Sequence, residues 1–272
     1  MDRMILMGKQ FVGRLLTGDY FGLAAQLAYF FLLSLFPLLL FMITLIGYLP
    51  FDEHLLTDML ATVAPAESMD FITSNINSLV NQQNGSLLSI SILGTLWSAS
   101  NGVNAIMKAF NRAYDVQEDR SFFISRLIAI VLTIAMIGII VIAIVLPVLG
   151  KMIGIYIFSF FGLSDDFVQA WGTLRWGVTS IVFCIVFLFL YKLAPNIRIS
   201  FKDAFGGAVF ATICWQLVSY AFSYYVHTIG NYSATYGSLG AVIILMVWFY
   251  LSGIIIISGG ILNAVYLDTK KK

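Results

Sequence analysis

Hydrophobic residues along this chain gather into six long runs: Gly22–Leu49, Leu87–Met107, Phe122–Leu149, Gly177–Leu193, Ala204–Val226 and Leu239–Leu267. About 20 apolar residues carry a helix across the hydrocarbon core of a bilayer. Strands of a membrane barrel would be about 10 residues long and would alternate apolar with polar positions, so the runs predict helices. The fourth run is the shortest; it extends back toward Trp171 if Arg175 reaches out to the interface. The second is the least hydrophobic. Charged side chains lie between the runs, and Arg126 and Lys192, which fall inside their bounds, sit near an end. A charge at the bilayer centre costs about 2.5–3.5 kcal/mol on insertion scales, which accounts for this sorting. The expected fold class is therefore all-α, a polytopic membrane protein with six transmembrane helices.

The loops then give an orientation. Lys151 and Arg175 lie on one side; every other Lys and Arg falls in segments that alternate to the opposite side. By the positive-inside rule the basic side is cytoplasmic, with both termini inside. The acidic residues divide evenly between the two sides, so only the basic residues carry the asymmetry.

Two polar-flanked segments are amphipathic without being spans. In residues 1–18, Met4, Ile5, Phe11, Val12, Leu15 and Leu16 share a helical face, while Lys9 and Gln10 point away. This predicts a cytoplasmic helix lying in the plane of the interface. In the first outer loop, residues 50–86, Met69, Ile72, Ile76, Leu79 and Val80 recur at helical spacing, predicting short amphipathic helices on the outer face. The chain thus divides into an amphipathic segment (1–18), one six-helix transmembrane domain (19–268) and a basic cytoplasmic tail (269–272).

Composition narrows the function classes. Hydrophobic residues make up 60% and charged residues 11%, against about 45–50% and about 25% in soluble domains. A net charge of +1 argues against a nucleic-acid partner, which would need a basic face to neutralise phosphates. Cys184 and Cys214 both lie in apolar runs, where they read as small buried hydrophobes. His54 and His227 both map to the outer side, and no His/Cys/carboxylate group has metal-ligand spacing. No phosphate-binding Gly-rich loop with a lysine occurs, and no carboxylate stands within a span to relay protons. No cofactor is expected, and the N-terminus lacks a cleavable-signal pattern.

The polar residues that enter the spans are the candidates for function. Ser91, Thr95, Ser98 and Gly102 share one face of the second span, with Asn101 and Asn104 beside it. Such a stripe glues close-packed helices together, or it lines a path for water or a polar headgroup. Gln26 sits at the cytoplasmic start of the first span, and Pro37 lies mid-span, where a proline frees a carbonyl and kinks a helix. The short, charge-free connection 227–238, with Tyr232 and Tyr236, is either a surface turn or an inward-dipping gate.

Several stretches resemble the YihY/BrkB family of bacterial inner-membrane proteins. They are Ala24-Ala25-Gln26-Leu27-Ala28-Tyr29-Phe30 running to Ser34-Leu35-Phe36-Pro37, then Leu96-Trp97-Ser98-Ala99-Ser100-Asn101-Gly102. Next come Phe110-Asn111-Arg112-Ala113-Tyr114 with Glu118-Asp119-Arg120-Ser121-Phe122. Tyr236-Gly237-Ser238-Leu239 and Gly259-Gly260-Ile261-Leu262-Asn263 complete the set. The resemblance covers nearly the whole chain and implies a six-helix protein of the bacterial inner membrane. The family has carried the name of a ribonuclease and a link to virulence and serum resistance. RNA cleavage needs an acid–base or metal cluster facing the cytoplasm. The cytoplasmic loops offer only Asp115, Glu118, Asp119 and Asp203 with arginines and no histidine, and the Arg112/Glu118/Arg120 region reads as a salt-bridged loop. The expectation is a non-enzymatic, transport-type protein moving or exposing a lipid or another amphiphile. Gln26, Ser91, Thr95, Ser98, Asn101 and Asn104 are its path candidates, with Tyr232 and Tyr236 as the gate. The alternative is a non-transporting scaffold for envelope assembly. Expected partners are membrane lipids and envelope proteins, not nucleic acid.

Overall fold

The computed structural model describes residues 2–46, 85–159, 164–228 and 239–271. All secondary structure among them is helical: α1 (Asp2–Thr17), α2 (Tyr20–Ile46), α3 (Gly85–Ala113), α4 (Phe122–Ser159), α5 (Ser164–Leu193), α6 (Phe201–Thr228) and α7 (Leu239–Lys271). The helices α3 to α7 each contain one of the expected runs, and α1 and α2 cover the described part of the N-terminal segment and of the first run. Gly18 breaks α1 from α2 in a turn so tight that a Cβ there would lie 2.1 Å from the Tyr20 ring. Ser200 caps α6: its hydroxyl accepts the Asp203 N–H at 3.2 Å and donates to the Asp203 carboxylate at 2.6 Å. The helix containing the fourth run begins earlier than expected, at Ser164. Of the first outer loop, residues 50–84 lie outside the described residues, as do Tyr232 and Tyr236.

Four helices among the described residues carry stretches long and apolar enough to cross a membrane: Tyr20–Phe41, Trp176–Leu193, Phe201–Val226 and Val242–Lys270. A shorter apolar stretch, Phe122–Gly138, opens α4. The 29 residues of α3 span about 43 Å at 1.5 Å per residue, but its serines and asparagines make it less apolar. Large hydrophobic side chains point outward along these helices, with Phe36 71%, Leu217 63% and Phe123 81% exposed. A water-facing surface would hold such side chains in a patch of this extent only at an interface; hydrocarbon solvates them. The protein is a multi-pass membrane protein.

By contacts, the chain forms two compact units, residues 31–99 and residues 1–30 with 100–272. In the first, a Cβ added to Gly94 of α3 would stand 3.3 Å from the Pro37 Cβ of α2, a close approach of small residues. Ser34 and Thr44 are buried there and donate to the carbonyls of Phe31 and Leu40 in their own helix.

In the larger unit α4, α5, α6 and α7 pack in sequence, each on the next, and α1 lies along α7. Its core is built on small residues. Ala24, Ala109, Ala113 and Ala264 are buried around Ile257 and Ile261, and Gly253 brings α7 within 3.2 Å (from an added Cβ) of the Ala24 carbonyl. Lipid tails are as apolar as leucine, so helix association in a membrane depends on close packing and interhelical hydrogen bonds. Both occur where α5, α6 and α7 meet. A Cβ at Gly207 would lie 2.2 Å from the Gly259 carbonyl oxygen, and one at Gly259 would lie 2.2 Å from the Tyr191 hydroxyl. That hydroxyl donates to the Ile256 carbonyl at 2.9 Å. The N-terminal helix has two apolar faces. Met7, Phe11 and Leu15 pack on the core, with Phe11 edge-on to Phe210, while Ile5, Val12 and Leu16 stay exposed.

Candidate functional site

The basic segments meet at one end of the larger unit. Arg14 of α1 pairs with Asp268 of α7 and donates to the Ala113 carbonyl, at 3.1 Å, that ends α3. Arg120 donates to the carbonyls of Ala194 and Pro195, at 3.3 and 2.7 Å, beyond the end of α5. Lys270 pairs with Asp203 at 2.9 Å, and the Lys192 ammonium stands 3.2 Å over the Phe201 ring. Four segments far apart in sequence are thereby tied together, and they are those that the charge alternation assigns to one side.

At the centre of this end α3 stops in a Schellman turn. Val116 N–H reaches back to the Asn111 carbonyl (2.9 Å) and Asp115 N–H to that of Arg112 (3.2 Å). Asp115 supplies the required left-handed residue at φ 54°, a position usually given to glycine. The side chain of buried Asn111 then holds two loops: Nδ2 donates to Glu118 (2.7 Å), and Oδ1 accepts the Asn196 N–H (2.7 Å). Asn196 returns a bond to the Gln117 carbonyl at 2.9 Å. The other Glu118 oxygen accepts the Arg120 N–H (3.3 Å) and lies 3.7 Å from its guanidinium. The loop is salt-bridged through Glu118 and Arg120, whereas Arg112 faces Asp19 at 3.9 Å, with both side chains largely exposed.

Between this loop and the start of α2 lies an open pocket of about 540 Å³. Leu23 gives it an apolar wall. Lys108, Asn111 and Arg112 supply its helical side, and Asp115 and Glu118 its loop side. Lys108 and Arg112, four residues apart on α3, are both exposed. Nearby, the hydroxyl of Tyr114 is buried and has no hydrogen-bond partner among the described residues. Burial, followed by the charges of Asp203 and Asp268, pushes its phenol above the ordinary 10.0, so it stays protonated.

None of the path candidates is among the residues that line this pocket. Ser91 and Thr95 are buried in the smaller unit, and their hydroxyls donate to carbonyls of their own helix, Leu88 at 2.9 Å and Ser91 at 2.8 Å; Ser98 is half-buried. In the larger unit, Gln26 is exposed and Asn104 half-buried, while the Asn101 Oδ1 accepts a bond from Arg126 at 2.5 Å. Among the described residues no three His, Cys, Asp or Glu side chains are grouped to hold a metal ion. Sequence reasoning missed Lys108, Asn111 and the pocket, although a signal was present. The pair Lys108 and Arg112 sits at i, i+4 just past an apolar run, and Asn111 and Arg112 belong to one of the stretches that carry the family resemblance.

Relatives named as membrane proteins are found among known proteins. A Bacillus subtilis (strain 168) protein named as ribonuclease-like, YfkH, is 52% identical over 248 residues, which is 91% of this chain and 90% of that protein. The UPF0761 membrane protein PSHAa0171 of Pseudoalteromonas translucida (strain TAC 125) is 28% identical over 273 residues, covering 94% of this chain and 84% of its own length. A further UPF0761 membrane protein, from Alkalilimnicola ehrlichii, is 29% identical over 246 residues, covering 87% of this chain and 52% of its own. No solved structure matches. The family described as "Virulence factor BrkB" matches residues 11–272, and the chain belongs to that family.

Proposed function

We propose that this protein is a transport-type protein of the bacterial inner membrane, which moves or exposes a lipid or another amphiphile. The observation that carries this reading is the open pocket of about 540 Å³ beside Lys108 and Arg112, at the end of an otherwise apolar helical bundle. An amphiphile needs polar contacts for its headgroup while its tails stay in hydrocarbon, and the pocket joins an apolar wall at Leu23 to charged groups. On this reading all six apolar runs cross the bilayer, both termini are cytoplasmic, and α1 lies in the interface with Ile5, Val12 and Leu16 toward lipid. Ser98, Asn101 and Asn104 line the route, and Tyr232 and Tyr236 gate its outer end.

The reading excludes RNA cleavage, although one relative is named ribonuclease-like. Glu118, the carboxylate at the centre of the loop's hydrogen bonds, is occupied by Asn111 and Arg120. No histidine lies in the segments read as cytoplasmic. Reconstitution into vesicles carrying labelled lipid in both leaflets tests the proposal. An external quencher that cannot cross the membrane should reach the inner-leaflet label only when the protein is present. Full protection by folded, inserted protein would favour the scaffold instead.

A further inference from the structure

We infer that the pocket at the end of α3 binds the phosphodiester of a membrane lipid headgroup. Lys108 and Arg112 hold the phosphate, and Asp115 accepts a hydrogen bond from a hydroxyl or ammonium on the same headgroup. The inference rests on the amphiphile reading above and names the chemistry of its ligand.

Depth comes first. Lys108 is the first residue past the apolar run Leu87–Met107, and Arg112 follows one turn later. That places the pair where an apolar helix leaves hydrocarbon, the level of lipid phosphates, with flexible stems that extend toward the surface. Available charge comes next. Among the described residues Lys108 has no carboxylate partner, and Arg112 has only the distant, exposed Asp19 at 3.9 Å. Both cations are therefore free to take a phosphate, Arg112 through two parallel N–H donors. The two carboxylates of the pocket differ. Glu118 is bound by Asn111 and the Arg120 backbone, so its charge belongs to the loop. Asp115 is exposed and held in a left-handed conformation by the Schellman turn, which keeps an acceptor at the mouth. Two cations beside one free carboxylate suit a phosphate that carries its own hydrogen-bond donor, as in a glycerol or ethanolamine ester. A bare anion would meet Asp115 as a repulsion. Leu23 supplies the apolar wall that a free, water-soluble phosphate would not use.

Calorimetric titration of the full chain in detergent tests this with three probes: dihexanoyl phosphatidylglycerol, dihexanoylglycerol and inorganic phosphate. The phospholipid should bind saturably, at least tenfold tighter than either of the others. Replacing both Lys108→Gln and Arg112→Gln should weaken it at least tenfold. Lys202→Gln, an exposed cation outside the pocket, should leave it unchanged. Equal binding of dihexanoylglycerol would overturn the phosphate assignment, and equal binding of inorganic phosphate would overturn the lipid one. Phospholipid affinity unchanged in the double variant would place the phosphate elsewhere. The wild-type comparison of three ligands stands even if the double variant fails to fold. Because no vesicle is involved, binding without movement would refute the transport reading alone, and movement without binding would refute this one alone.

Discussion

The carboxamide of Asn263 on α7 is bonded to the backbone of α6 through both of its ends. Its oxygen accepts the N–H of Gly207 at 2.7 Å, and its nitrogen donates to the carbonyl of Ala204 at 3.1 Å. The side chain is 1% exposed, and it can reach the neighbouring backbone because Gly207 has no side chain in the way. An added Cβ would lie 2.4 Å from the Asn263 nitrogen. Adjacent Gly206 is different: the nearest atom to its added Cβ is 3.8 Å away.

The pair of glycines makes a contrast that helix propensity cannot produce. Gly206→Ala should be neutral or stabilise by up to about 1 kcal/mol, the propensity gain of alanine in a helix. Gly207→Ala should destabilise by about 1–3 kcal/mol or more, as overpacking does when backbone must move. Thermal unfolding in detergent compares the two, and equal effects would contradict the α6–α7 packing.

Tyr191→Phe removes the hydroxyl that donates to the Ile256 carbonyl while keeping the ring against Phe110 at 5.2 Å. Interhelical hydrogen bonds in membrane proteins average about 0.6 kcal/mol and reach about 1.7. The variant should lose a stability in that range, read by the same melt, and a gain would contradict the geometry.

Asp115→Gly should stabilise the chain by up to about 1 kcal/mol, because glycine enters the left-handed region without the Cβ penalty. Asp115→Val, β-branched, should destabilise it. A melting temperature that falls for glycine and rises for valine would contradict the turn at φ 54°.

Tyr114 predicts an alkaline effect. Its phenol is raised above 10.0 in the fold, so the folded state holds the proton more tightly than the unfolded chain. Stability is then complete below pH 10.0 and declines as pH rises beyond it. Tyr114→Phe should flatten that decline. It should not destabilise at neutral pH, because the buried hydroxyl has no partner among the described residues. Melts across the alkaline range check both statements.

Ser98→Leu and Asn101→Leu should block movement of the amphiphile without preventing folding, since each narrows the proposed route. Full transport by both variants in vesicles would show that the route lies elsewhere.

The helices were legible because hydrocarbon imposes long runs with charges at their ends. The positions of Arg126 and Lys192 near run ends follow the same rule. The gathering of Arg14, Arg120 and Lys270 at one end of the larger unit was foreshadowed by the charge alternation. Their partners were not, because Asp268, Pro195 and Asp203 are chosen by three-dimensional packing. The stripe on α3 was visible as a periodicity, but period alone does not say where a hydroxyl donates. Ser91 and Thr95 bond within their own helix, and Asn101 accepts from Arg126. Asn263 was noticed only as part of a family-like stretch, since its role depends on glycines 56 and 4 residues away. The pocket needed the Schellman turn, and no glycine marked it because aspartate fills the left-handed position.

The most direct test of the central claim is headgroup accessibility in proteoliposomes with labelled phospholipid in both leaflets and an impermeant quencher outside. The account predicts that reconstituted protein exposes the inner-leaflet label to the quencher, and that Ser98→Leu restores its protection. Undiminished protection with folded, correctly inserted wild-type protein would contradict it.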